Sequence, residues 1–161
     1  MIHKTNSKAN RIDWVTPRYI LDALGEFDLD PCAGAVIPWP TAREMVSPPT
    51  DGLRIEWHGR VWLNPPYGNP QNPWLKKLRD HGNGIALVPV CTETKERWFR
   101  YVWGHNAGIC YLKGRISFHH PDGSLPGNGI NQACCLIAYG KENLAALLRS
   151  GLGAVMVEVR T

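Results

Sequence analysis

The stretch "VWLNPPYGNP", residues 61–70, joins a short apolar run to an Asn, two prolines, an aromatic ring and a glycine. The apolar run fits a buried strand. Proline has no N–H for a sheet ladder and glycine admits backbone angles closed to other residues, so the letters after it end the strand. A turn needs no more than that. Two consecutive prolines between an Asn and a Tyr also build a rigid loop, one that holds a side-chain amide, a main-chain carbonyl and a ring in fixed positions. Where the strand ends in the fold decides whether that rigidity has a use.

Outward from this stretch the chain alternates between strand and helix patterns. Upstream, "TPRYILDAL" predicts a helix with Thr16 as N-cap, Pro17 at its first position and Ile20, Leu21 and Leu24 on one face. "FDLD" (27–30) is a short strand running into "PCAGA". Pro38, Pro40, Pro48 and Pro49 make 35–52 an irregular connection with at most a turn around "TAREM". Downstream come a helix in "NPWLKKLRDHG", a strand "GIALVPV" and a helix "TKERWFRYVWG" capped by Thr94. Strand "AGICYL" and extended "RISFHH" follow, then a Gly/Pro-rich loop at 121–130. Strand "QACCLIAYG", helix "KENLAALLRSG" and strand "AVMVEV" close the chain.

Strands alternating with helices of about ten residues predict an α/β fold with helices on both faces of the sheet. The sheet is expected to be mostly parallel, with antiparallel strands near the C-terminus. Residues 1–12 read as a flexible polar arm, and 13–161 as one compact domain. Ligands of open α/β sheets bind beyond the carboxyl ends of the strands. "DPCAG" after the first strand and "NPPYG" after the strand at 60–64 both fall there.

Bulk composition narrows the function classes. No apolar run is long enough to cross a bilayer, and no signal-peptide pattern opens the chain. Five cysteines without C-x-x-C spacing argue against a zinc site or a disulfide framework and fit reduced thiols in a cytoplasmic protein. No metal site is expected. His119 and His120 lie beside Asp122, but neighbours on an extended segment point to opposite faces and do not share one ion. A net charge of +4 favours an anionic partner only mildly. Lys95, Arg97, Arg100, Lys113 and Arg115, interleaved with Trp98, Tyr101 and Trp103, suit a surface that grips phosphates and stacks on bases.

The rigid loop has a specific chemical use. The lone pair of an exocyclic amino group on a nucleobase is delocalised into the ring, which makes the nitrogen a poor nucleophile. Two acceptors that grip its two hydrogens draw it toward tetrahedral geometry and localise the pair. The Asn64 side-chain oxygen and the Pro65 carbonyl are suited to that task, and Pro66 fixes the second step of the loop. Tyr67 offers a face on which a flipped base stacks. Methyl transfer to such a nitrogen requires no dedicated general base, because the methylated amine is positively charged and sheds its proton readily.

"NPPY" after a hydrophobic strand resembles the signature of amino-methyltransferases that use S-adenosylmethionine. From "DWVTP" through "FDLDPCAG" and "TDGLRIEWHGRVWLNPPYG" to "LKGRISF", the chain resembles the small phage and prophage DNA N6-adenine methyltransferases of the Dam type. The resemblance implies a Rossmann-like methyltransferase fold, S-adenosylmethionine as cofactor and DNA as partner. It also implies a monomer or weak dimer in the cytoplasm of a bacterial host. Asn64, Pro65, Pro66 and Tyr67 then match the catalytic loop. Asp30, Pro31, Cys32, Ala33 and Gly34 match the cofactor loop, although "CAGAV" departs from the G-x-G often found there. Asp51, Gly52 and Leu53 match the segment that meets the cofactor's adenine, and Trp14, Thr16 and Pro17 a further cofactor-side segment. Glu44 is the candidate acid for the ribose hydroxyls. Lys95, Arg97, Lys113 and Arg115 are the candidate DNA contacts, with 113–131 the DNA-reading segment. The residues alone leave open methylation of cytosine N4, RNA or a protein amide, and a catalytically silent nucleic-acid-binding module.

Overall fold

The computed structural model of the chain describes residues 14–90, 96–126 and 131–158. The expected arm at 1–12, the cap Thr94 and the candidate contact Lys95 lie outside the described residues. In chain order the elements are α1 (Arg18–Leu24), β1 (Leu29–Asp30), β2 (Glu44–Met45), β3 (Val61–Leu63), α2 (Gln71–His81), β4 (Gly84–Pro89) and α3 (Glu96–Tyr101). They continue with β5 (Gly108–Leu112), β6 (Ile116–Ser117), β7 (Asn131–Gln132), β8 (Cys134–Tyr139), α4 (Lys141–Ser150) and β9 (Gly153–Val157).

Seven strands form one sheet in the order β2-β1-β3-β4-β8-β5-β9, and β6 pairs with β7 in a small ribbon. Alternation along the central strands sorts the core onto two faces. Val61 and Leu63 of β3, Ala86 and Val88 of β4, and Cys135, Ile137 and Tyr139 of β8 meet Trp74, Leu75 and Leu78 of α2 and Trp98 of α3. Trp62, Ile85, Leu87, Leu136 and Ala138 face the other way, against Ile20, Leu21 and Leu24 of α1 and Leu147 of α4. Helices therefore cover both faces, as expected. These strands read as unbroken apolar runs because both of their faces are buried.

The expected mostly parallel sheet is corrected by the pairing. β2, β1, β3 and β4 run parallel, but through only one to three paired positions per junction. The long ladders, β4 with β8, β8 with β5 and β5 with β9, are all antiparallel. β8 reaches β4 by returning from the β6–β7 ribbon, a connection that needs no crossover helix, and the six-residue run "CCLIAY" supplies a long partner. The connection at 35–52 also holds a strand that its prolines concealed: β2 adds to the sheet edge beside β1, with Leu29 opposite Glu44. The antiparallel strands near the C-terminus are present as expected.

Candidate active site

β1 and β3 are neighbours, with Leu29 opposite Val61, so the loops after Asp30 and after Leu63 leave the same end of the sheet side by side. They enclose a cavity of about 320 Å³, whose walls include Asp30, Cys32, Ala33 and Gly34 from the first loop and Asn64, Pro65, Pro66 and Tyr67 from the second. Trp14, Val15 and Thr16 close a third side, and Ile37, Thr41 and Trp62 complete the wall. Pro17 and Leu53 are not part of this wall. Pro17 is the N-cap of α1, and Leu53 packs against the core.

Asp30 is 3% exposed and is the one acidic side chain in the wall among the described residues. Its Oδ1 accepts from the Cys32 N–H at 2.9 Å, which tightens the loop, and its Oδ2 accepts from the Thr41 hydroxyl at 2.5 Å. Burial pushes its carboxyl up to about 6, against the hydrogen bonds from Thr41 and Cys32 that favour the ionised form. Thr41, in the proline-rich connection, carried no sequence signal for this role.

Asn64 is oriented by its neighbours. Its Nδ2 donates to the Trp14 carbonyl at 3.3 Å and lies 3.5 Å from the Thr16 hydroxyl. With the amide nitrogen turned to that segment, Oδ1 is the acceptor left over. Pro65 is buried behind it. Tyr67 is 37% exposed, its ring edge-on to Phe118 with centroids 6.3 Å apart. Its hydroxyl reaches back to Cys134 Sγ at 3.8 Å, and burial, first of several causes, raises its pKa. The hydroxyl end is thus embedded while part of the ring is open. Gly68, at φ 88°, turns the chain away from the ring through a region that disfavours other residues.

A second cavity of about 250 Å³ adjoins the first through Cys32 and Ala33 and is walled by Pro31, Val46, Thr50, Asp51, Gly52 and Trp74 among others. Asp51 is exposed, accepts from the Leu53 N–H at 3.0 Å and pairs with Arg54. Glu44 belongs to neither wall; it is an exposed residue of β2, with its carboxylate 3.0 Å from His58. No group of three His, Cys, Asp or Glu side chains suited to a metal occurs among the described residues. His119 lies edge-on to Trp39 and His120 stacks on Trp14, so the two rings do part company.

The family model for DNA N-6-adenine-methyltransferase (Dam) matches residues 3–146, which span this site and all but the last strand of the sheet. The chain belongs to the Dam family. It is similar to the DNA N-6-adenine-methyltransferase of Haemophilus phage HP1 (strain HP1c1), with 34% identity over 129 residues, covering 73% of each chain. No solved structure matches it significantly. Membership makes the protein a DNA adenine methyltransferase, with DNA as its substrate and a methyl donor as co-substrate. Among the described residues of this Dam-family chain, no helix is long and apolar enough to cross a membrane. Of the candidate DNA contacts, Lys113 and Arg115 are exposed. Arg97 is half-buried, and its Nη1 donates to Gln71 Oε1 at 3.1 Å, which ties α3 to the start of α2.

Proposed function

We propose that this Dam-family methyltransferase uses S-adenosylmethionine and takes an adenine, flipped out of the duplex, against Tyr67, with Asn64 Oδ1 and the Pro65 carbonyl accepting from its N6 amino group. The observation that carries the reading is the orientation of Asn64: its N–H donors face Trp14 and Thr16, and its oxygen is left as an acceptor at the cavity wall. An exocyclic amine, with two hydrogens to donate, matches an oxygen acceptor and not an N–H.

Two cavities that share Cys32 and Ala33 in their walls suit an elongated cofactor. Small residues, Ala33 and Gly34, line the first cavity after β1, and in the wall of the second, Gly52 approaches Pro31 so closely that the two loops meet backbone to backbone. Cys32 and Ala33 would hold its middle, Asp30 and Thr41 the amino-acid end, and Asp51 and Gly52 its adenine. When bound, S-adenosylmethionine supplies a methyl group on a positively charged sulfur, which leaves with the bonding pair as N6 takes the methyl. The chain's part is to hold N6 with its lone pair localised; the resulting cationic nitrogen loses a proton to water. Pro65 and Pro66 keep the acceptors ordered before the base arrives, and the open part of the Tyr67 ring supplies a stacking surface worth about 1–3 kcal/mol. Lys113 and Arg115, both exposed, are the side chains that would meet phosphates. The phage relative fits a setting in the cytoplasm of a bacterial host.

Calorimetry with S-adenosylmethionine, followed by nucleoside analysis of methylated DNA, tests this function. Binding and N6-methyladenine are expected. Absence of cofactor binding, or N4-methylcytosine without N6-methyladenine, contradicts it.

A further inference from the structure

A Thr-Pro pair ahead of a helix ordinarily places the Thr as N-cap, its hydroxyl accepting from a free N–H of the first turn. Here it does not. α1 starts one residue later than the pattern predicts, with Pro17 in the N-cap position and no side-chain cap. Thr16 is 2% exposed, and a buried hydroxyl needs a partner inside the protein. The partner within reach is Asn64 Nδ2, at 3.5 Å.

The backbone around Thr16 is held from two directions. Trp39 Nε1 donates to the Thr16 carbonyl at 3.0 Å. One residue earlier, Val15 exchanges both backbone hydrogen bonds with His119, each at 3.0 Å. The Trp14 carbonyl, the other acceptor for Asn64, belongs to the same fixed segment. Two acceptors on one anchored segment therefore face one amide nitrogen, and an amide has a single nitrogen to satisfy both.

We propose that Thr16 is a positioning residue for methyl transfer: with the Trp14 carbonyl it selects the Asn64 orientation that turns Oδ1 toward the target amine. The inference rests on the proposed role of Asn64 and deepens it. It also moves Thr16 from the cofactor, to which the family resemblance assigns it, to the acceptor side of the site. The same geometry explains why position 64 holds an amide and not a carboxylate. An Asp at this position would set a second oxygen against the Trp14 carbonyl, acceptor against acceptor.

Three variants of the full chain test this, each measured for S-adenosylmethionine Kd, DNA KM and kcat. Thr16→Val keeps the shape and removes the hydroxyl; kcat is expected to fall about tenfold, with Kd and KM within about threefold of the parent. Thr16→Ser restores the hydroxyl and is expected to recover most of kcat. Asn64→Asp leaves Thr16 intact and is expected to lose at least tenfold in kcat, which keeps the test decisive if Thr16→Val folds poorly. A Thr16→Val effect confined to cofactor Kd, failure of Ser to rescue, or an Asn64→Asp enzyme with parental kcat overturns the proposal. Loss of the underlying reading is distinguished by Asn64→Ala: parental turnover there removes the role of Asn64 itself, whatever Thr16 does.

Discussion

Gly52 lies so close to Pro31 that a Cβ at position 52 would sit 1.8 Å from the Pro31 carbonyl oxygen. Backbone meets backbone there, so no side-chain rotation relieves the contact. This approach joins the loop after β1 to the loop at 51–53, and Trp57 Nε1 secures it by donating to the Gly52 carbonyl at 2.8 Å.

Gly52→Ala must then push the two loops apart. The change falls in the wall of the second proposed cofactor cavity, which Asn64 does not line. Calorimetry is expected to show S-adenosylmethionine bound at least tenfold more weakly, a loss of about 1.4 kcal/mol or more. Unchanged affinity would separate Gly52 from cofactor binding.

Asp30 makes stability depend on pH in a definite direction. Its carboxyl is pushed up to about 6 from 3.8, so the folded chain holds the proton more tightly than the unfolded chain does. Stability from this group is fully present below pH 3.8 and is lost as pH rises toward 6, levelling off above. Asn at this position does not titrate. Denaturant unfolding should therefore show Asp30→Asn gaining on the parent by about 2–3 kcal/mol between pH 4 and 7, with a constant difference above that. A difference that does not vary with pH would contradict the assignment.

At the opposite end of β3, buried Arg60 donates from Nε to Asn143 Oδ1 at 2.6 Å, and from its two terminal nitrogens to the Glu26 and Leu24 carbonyls at 2.8 and 2.9 Å. Its guanidinium also lies 4.3 Å from the Phe27 ring centre. Arg60→Met strands these acceptors in the interior and is expected to cost about 3 kcal/mol in chemical denaturation. Cofactor affinity of the folded fraction should not change, because none of these groups borders the cavities.

Tyr67 divides into a ring and a hydroxyl with different duties. Its hydroxyl contact to Cys134 is a weak one at 3.8 Å, whereas part of the ring is open at the cavity wall. Tyr67→Phe should leave DNA KM within about threefold, and Tyr67→Ala should raise it roughly 10- to 100-fold through lost stacking. Equal KM values for the two variants would remove the stacking role.

The parts of this molecule legible in its sequence are those where one local cue dominates. Ile20, Leu21 and Leu24 on one face marked α1, and the prolines after Leu63 marked a loop at the strand's carboxyl end. β2 was hidden because its two residues, Glu44 and Met45, are both exposed and carry no alternation. The sheet's parallel character was overestimated because strand direction is fixed by long-range pairing: β8 inserts between β4 and β5, and nothing in "CCLIAY" says which neighbours it finds. The same holds in the site. The placement of Asn64 and Asp30 at strand ends was readable, but the contacts of Thr41 and Trp39 reach across 11 and 23 residues of chain. Thr16 misled, since its local context is that of a helix cap.

Single-turnover methyl transfer by Asn64→Ala, on DNA with S-adenosylmethionine and alongside calorimetry for the cofactor, separates the acceptor role of Asn64 from cofactor binding. The rate is expected to fall at least a hundredfold with cofactor affinity within about threefold of the parent, since removal of one transition-state hydrogen-bond partner costs about that much. A rate near that of the parent, or a rate loss matched by lost cofactor binding, would contradict it.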